Sequence, residues 1–202
     1  MNREGTVKFE CFWDKTGPVI TDHILKNMNS WRDILYGLNL IGTTPDGIGF
    51  GNISLRSKSQ GKFFITGSGT GQKEHLTRQC ISLVTSYSFV RNKLTCKGPV
   101  IASSESLSHA AIYETDPEIN AVIHVHHEEY WKKLLLAVPS TNKKAEFGTP
   151  EMAREIIRLF RETDVANKRI MVMGGHKDGI ITFGKDLDEA GGYLLAYINS
   201  II

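Results

Sequence analysis

Segments of period two alternate with segments of helical period along the chain, and no repeat, low-complexity tract or linker interrupts them. That alternation points to one mixed α/β domain over 1–202, a length that can bury a sizeable core. Val7, Phe9, Cys11 and Trp13 alternate with Lys8, Glu10, Phe12 and Asp14, which predicts a half-buried strand stopped by Lys15-Thr16-Gly17-Pro18. Ile24, Leu25, Met28, Trp31, Leu35 and Leu38 recur at helical spacing behind a Thr21-Asp22 start signal. Residues 42–51, with four glycines, a proline and an aspartate, read as loop. Short strands are expected over 52–56 and 62–66, then a tight glycine loop at 67–71 and a strand-rich stretch over 80–97. A helix over 105–115 stops at Asp116-Pro117, and an apolar strand follows over 119–126. Helices over 128–137, 149–161 and 187–198 and strands over 169–173 and 179–183 complete the pattern, with Pro150 at a helix start.

Charge and cysteine usage exclude several classes. Twenty-four Lys and Arg against 22 Asp and Glu leave a formal charge of +2, far from the excess a polybasic nucleic-acid binder needs. An apolar fraction of 41% at low net charge excludes global disorder. Cys11, Cys80 and Cys96 lack Cys-x-x-Cys spacing, which argues against a disulfide framework and a thiolate metal site. The N-terminus, Met1-Asn2-Arg3-Glu4-Gly5, runs into an alternating segment rather than an apolar signal core. The longest apolar stretch, residues 134–139, is too short to cross a bilayer. A cytoplasmic protein without a membrane or nucleic-acid partner is therefore expected.

The chemistry concentrates in histidines. His124-Val125-His126 ends the apolar strand, and side chains at i and i+2 project from one strand face, so both imidazoles can converge on one ion. A catalytic zinc commonly takes three protein ligands, so a third must come from elsewhere. His176 stands in a Gly-Gly-His turn between two expected strands. A bare His-x-His on a strand is more often a pair of hydrogen-bonded or exposed side chains than a metal site. His127 falls on the opposite face, and with Trp at position 131 His127-Glu128 does not begin a His-Glu-x-x-His helix. Ser103-Ser104-Glu105 at a helix start offers hydroxyls and free amide donors to an anion, or plain capping. The glycine loop can be a turn or a phosphate cradle, and Asn52 a turn residue at a strand edge. Gln72 stands where a dinucleotide fingerprint needs its third glycine, and no Walker A or Gly-x-Ser-x-Gly pattern occurs.

Six ordered motifs carry a resemblance: GNISLR at 51–56, FITGSG at 64–69, SSE at 103–105, AVIHVHH at 121–127, FGTPEMA at 147–153 and GGHKDGIITFG at 174–184. In that order they resemble the class II aldolase/adducin family from residue 30 to the C-terminus. The resemblance implies a three-layer α/β/α sandwich with a largely antiparallel central sheet. It implies His124, His126 and His176 as ligands of Zn²⁺ or another divalent metal, and Glu105 as the catalytic carboxylate. Asn52, Ser68, Gly69, Ser103 and Ser104 match positions that hold a substrate phosphate. The implied activity is a zinc-dependent lyase, most simply an aldolase cleaving a phosphorylated ketose or related hydroxy-ketone by retro-aldol chemistry through a metal-bound enediolate. A dehydratase of the methylthioribulose-phosphate type and a non-catalytic adducin-like interaction module are the alternatives. Members usually form homotetramers with the site near a subunit boundary. Residues 1–20 form an extra N-terminal strand segment without a counterpart, and the glycine loop reads Gly-Ser-Gly-Thr-Gly where the aldolases carry Pro-Thr-Gly. The tyrosine that aldolase relatives bring from a C-terminal extension has no match before Ile202, and Tyr193 and Tyr197 are expected in packing or on the surface.

Overall fold

A computed structural model of the protein describes residues 7–201, so residues 1–6 of the expected N-terminal segment lie outside the described residues. In chain order the elements begin β1 (Glu10–Lys15), α1 (Asp22–Gly37), β2 (Gly42–Thr43), β3 (Gly49–Phe50), β4 (Asn52–Arg56) and β5 (Phe63–Thr66). They continue β6 (Ile81–Ser88), β7 (Lys93–Gly98), α2 (Ser106–Thr115), β8 (Ala121–His126) and α3 (Glu128–Leu134). The last are α4 (Pro150–Glu162), α5 (Val165–Lys168), β9 (Ile170–Val172), β10 (Gly179–Gly184) and α6 (Leu187–Ile201).

Eight strands form one sheet in the order β1-β7-β6-β5-β4-β8-β10-β9. Every adjacent pair is antiparallel except β1 and β7, which are parallel. The sheet is covered on both sides, and the alternation along β8 shows how. Val122 joins a core with Leu107 and Ala111 of α2 and Met152 and Ile156 of α4. Ala121, Ile123 and Val125 face the other way, into a second core with Met28 and Leu35 of α1 and Leu187, Leu194 and Ile198 of α6. Two apolar faces on one strand require a helical layer on each side, and the expected three-layer sandwich with a largely antiparallel sheet is what forms.

The helix starts follow from local chemistry. Thr21 accepts from the Ile24 N–H and Thr149 from the Met152 N–H, each satisfying an orphan donor of the first turn, and Pro150 occupies the first turn of α4. Four expectations are adjusted. β1 begins at Glu10 and extends to Lys15, leaving Phe12 and Trp13 52% and 37% exposed, because an edge strand has a partner on one side only. The loop at 42–51 contains the small β2–β3 hairpin. The helix over 128–137 ends at Leu134, and α5 is an additional single turn that Arg169 closes in the left-handed region at φ 57°. All three cysteines are free thiols, as expected. Among the described residues no helix is long and apolar enough to cross a membrane.

Candidate active site

The end of β8 places two imidazoles side by side, with His124 Nε2 2.8 Å from His126 Nε2. The neighbouring strands fix their surroundings: Asn52 of β4 stands opposite His124, and Gly179 of β10 opposite His126. His176 reaches the pair from the turn between β9 and β10, its ring centroid 5.2 Å from that of His124 and 4.7 Å from that of His126. One ring nitrogen of each histidine lies within 4.8 Å of the others. His124 and His176 are buried and His126 half-buried.

The turn carrying His176 is held by close backbone packing. The Gly174 N–H donates to Thr141 Oγ1 at 3.0 Å, and a Cβ on Gly175 would fall 1.9 Å from the Ala145 carbonyl oxygen. Backbone cannot yield to that overlap, so Gly175→Ala is expected to destabilise the protein by about 2–4 kcal/mol or more. Chemical denaturation checks this against Gly192→Ala on α6, where an added Cβ meets nothing within 4 Å. His176 is further backed by Phe147, whose ring stacks on it at 4.5 Å. On Phe147 sits the Lys8 ammonium, 3.7 Å from the ring centroid and ion-paired to Glu146 at 3.1 Å. The N-terminal segment thus braces the site from behind.

Glu105 immediately precedes α2. Its Oε2 accepts from the Ser108 hydroxyl at 2.7 Å, while its Oε1 lies 3.3 Å from His176 Nδ1. Ser103 lies in the same turn and accepts the Ser106 N–H at its carbonyl. The glycine loop lies alongside, because the Ser68 N–H donates to the Ile101 carbonyl at 2.9 Å and Gly67 pairs with Ala102. One cleft therefore brings together Asn52, Ser68, Gly69, Ser103, Ser104, Glu105 and His124, seven of the nine residues singled out from sequence. His126 and His176 complete the set beside His124. His127 turns away as expected, accepting the Tyr130 N–H at the start of α3 and stacking on the Tyr130 ring.

Burial above all, with the neighbouring His126 and His176, holds His124 well below the usual imidazole range, so it presents a neutral ring with a lone pair at neutral pH. Clustered imidazoles without a thiolate suit zinc and related first-row ions rather than magnesium or calcium. Three histidines able to hold one ion beside a cleft match the open arrangement of a catalytic rather than a structural site. The donor set fits a divalent metal.

His109, four residues beyond Glu105, is wholly buried, with the Ser54 hydroxyl 2.7 Å from its Nδ1. Burial pushes its pKa down from 6.5 to about 3. The unfolded chain therefore binds a proton that the native state refuses between those values, and stability rises with pH across that window. It is fully present above about pH 6.5 and lost progressively toward about pH 3. Thermal unfolding between about pH 7 and about pH 4.5 is expected to show a falling Tm, with a shallower fall in His109→Gln.

Sequence reasoning left Phe147 and Lys8 without a role. Phe147 had a signal, standing in the FGTPEMA motif just before a helix start. Lys8 had none, because its contact with residue 146 spans 138 positions.

A sequence model of the family described as Class II Aldolase and Adducin N-terminal domain matches residues 45–200. Among solved structures the fold is similar to L-fuculose 1-phosphate aldolase, at TM-score 0.64 and 18% identity over 90% of this chain and 84% of that one. It is similar to YgbL from Klebsiella pneumoniae, a candidate aldolase, epimerase or decarboxylase, at TM-score 0.63 and 18% identity over 89% and 86%. A sugar-phosphate aldolase from Thermotoga maritima follows at TM-score 0.62 and 16% identity over 89% and 93%. Among curated protein sequences none matches significantly.

Proposed function

Since the chain belongs to the class II aldolase and adducin family, we propose that it is a metal-dependent lyase that cleaves a phosphorylated ketose or a related hydroxy-ketone. One observation carries this reading: three histidines converge at one end of a cleft whose other walls are a buried carboxylate and a loop of hydroxyls and backbone amides. A non-catalytic module has no evident need for that combination.

His124, His126 and His176 would hold the ion, with Zn²⁺ the best fit to the donor set. A bound divalent ion supplies Lewis-acid polarisation of a substrate carbonyl and stabilises the negative charge that develops as a carbon–carbon bond breaks. Glu105 moves the proton. Its Oε2 is steadied by Ser108, and its Oε1 is directed toward the histidine cluster, where a substrate hydroxyl or adjacent carbon would lie. Ser68, Gly69, Ser103, Ser104 and Asn52 orient the remote end of the substrate. Among the described residues the cleft lining contains no lysine or arginine, so a phosphate there would be held by hydroxyl and amide donors. A homotetramer belongs to the same reading, and sedimentation of the purified protein checks it.

The test is a screen of phosphorylated ketoses against the metal-loaded protein, scoring aldehyde release and loss of water separately. Aldehyde release is the expected result. Loss of water would reassign the same residues to a dehydratase. Turnover of no ketose would favour the adducin-like alternative.

A further inference from the structure

We propose that Arg32 is the cation of the cleft's anion site: a positioning residue that clamps the glycine loop from behind and lends it positive charge without touching the ligand. The proposal rests on the reading of the cleft as a site for a phosphorylated substrate and names the group that completes it.

Arg32 lies on the buried stripe of α1 between Met28 and Leu35, where an apolar side chain would serve packing better, and it is 0% exposed. Its Nη2 donates to the carbonyls of Gly71 and Lys73 at 2.7 Å each and of Thr70 at 3.2 Å, and its Nε donates to Lys73 at 3.0 Å. Its Nη1 is buried without a hydrogen-bond partner. Among the described residues no carboxylate forms an ion pair with Arg32, and the adjacent Asp33 instead meets His75 at 3.2 Å. Burial lowers its pKa to about 10, which leaves it charged at neutral pH. A buried guanidinium balanced by carbonyl dipoles, the Tyr36 ring 5.6 Å away and the field of the neighbouring Asp33 is still costly to keep, which favours a compensating anion nearby.

Thr70 and Gly71, two of the residues whose carbonyls Arg32 binds, line the cleft. A trans peptide points its C=O and the following N–H in opposite directions, so the Gly71 and Gln72 N–H groups are turned away from Arg32. Within the loop a single side-chain brace forms, the Thr70 hydroxyl donating to the Gly67 carbonyl at 2.8 Å, and Gly71 cannot add another. A Cβ on Gly71 would fall 2.2 Å from the Gly42 carbonyl oxygen. The clamp from α1 supplies the rigidity that three glycines in five residues remove.

The probe is inorganic phosphate, titrated calorimetrically into the metal-loaded full chain as wild type, Arg32→Lys and Arg32→Met. Wild type is expected to bind, Arg32→Met at least about tenfold more weakly, and Arg32→Lys at an intermediate strength because it keeps the charge. Metal content is expected to be equal in all three. Hydrogen exchange of the wild-type amides at 69–72 locates the anion, and is expected to slow when phosphate binds. Equal affinity of wild type and Arg32→Met overturns the proposal, as does an Arg32→Lys variant as weak as Arg32→Met. Should Arg32→Met not fold, the comparison of wild type with Arg32→Lys and the exchange measurement decide, and loop amides unmoved by phosphate overturn it. A wild-type chain that holds metal yet binds no phosphate overturns this proposal while leaving the metal-dependent lyase intact. A chain that holds no metal places the failure in the lyase reading itself.

Discussion

Replacing His126 with alanine is expected to remove the bound metal and, with it, turnover, while the fold survives. His126 is the informative position because it is half-buried, whereas His124 and His176 are buried against the sheet and Phe147. Truncating either of those would leave a cavity, and lost activity could then be blamed on misfolding. At His126 the stability change should stay within about 1 kcal/mol. Changes to groups that merely support a metal ligand already cost about 10- to 100-fold in affinity, so loss of a ligand is expected to exceed about 100-fold. Metal analysis after dialysis, paired with thermal unfolding, checks both halves. A variant that keeps its metal would remove His126 from the ligand set.

Glu105→Gln is expected to separate metal binding from proton transfer. The amide keeps the shape of the side chain, and its oxygen can still accept the Ser108 hydroxyl that Glu105 Oε2 accepts at 2.7 Å. It cannot take up or release a proton at neutral pH. The variant should therefore retain metal and lose turnover by about 10²–10⁴-fold, the contribution of a positioned general acid/base. Steady-state kinetics on whichever ketose the screen identifies, with metal content measured on the same preparation, give the comparison. Undiminished kcat would remove the proton-transfer role and leave Glu105 as a support for His176 Nδ1, 3.3 Å away.

Much of the arrangement is legible in the sequence because it depends on local periodicity. The two-residue spacing of His124 and His126 on a strand requires a shared face, and their ring nitrogens do meet. The stripe of Met28, Trp31 and Leu35 on α1 packs on one side of the sheet as its spacing requires. The roles proposed for Glu105 and for the candidate anion-binding residues rest on the ordered motifs rather than on spacing, and the fold gathers those positions around one cleft. What escaped depends on contacts between distant segments. The docking of the Gly-Gly-His turn on Thr141 and Ala145 and the Lys8–Phe147–His176 stack are set by tertiary packing, which no local period encodes. Arg32 did leave a trace, as a charge on the apolar stripe of α1, but its partners lie 38 to 41 residues away.

The most direct test of metal-dependent catalysis by this chain is the metal content of the wild-type protein, purified from metal-replete cells and passed through gel filtration. One divalent ion per chain is expected, removed by a chelator together with lyase activity and restored together with it on addition of Zn²⁺. A folded protein that carries no stoichiometric divalent ion, or whose activity survives complete chelation, would contradict it.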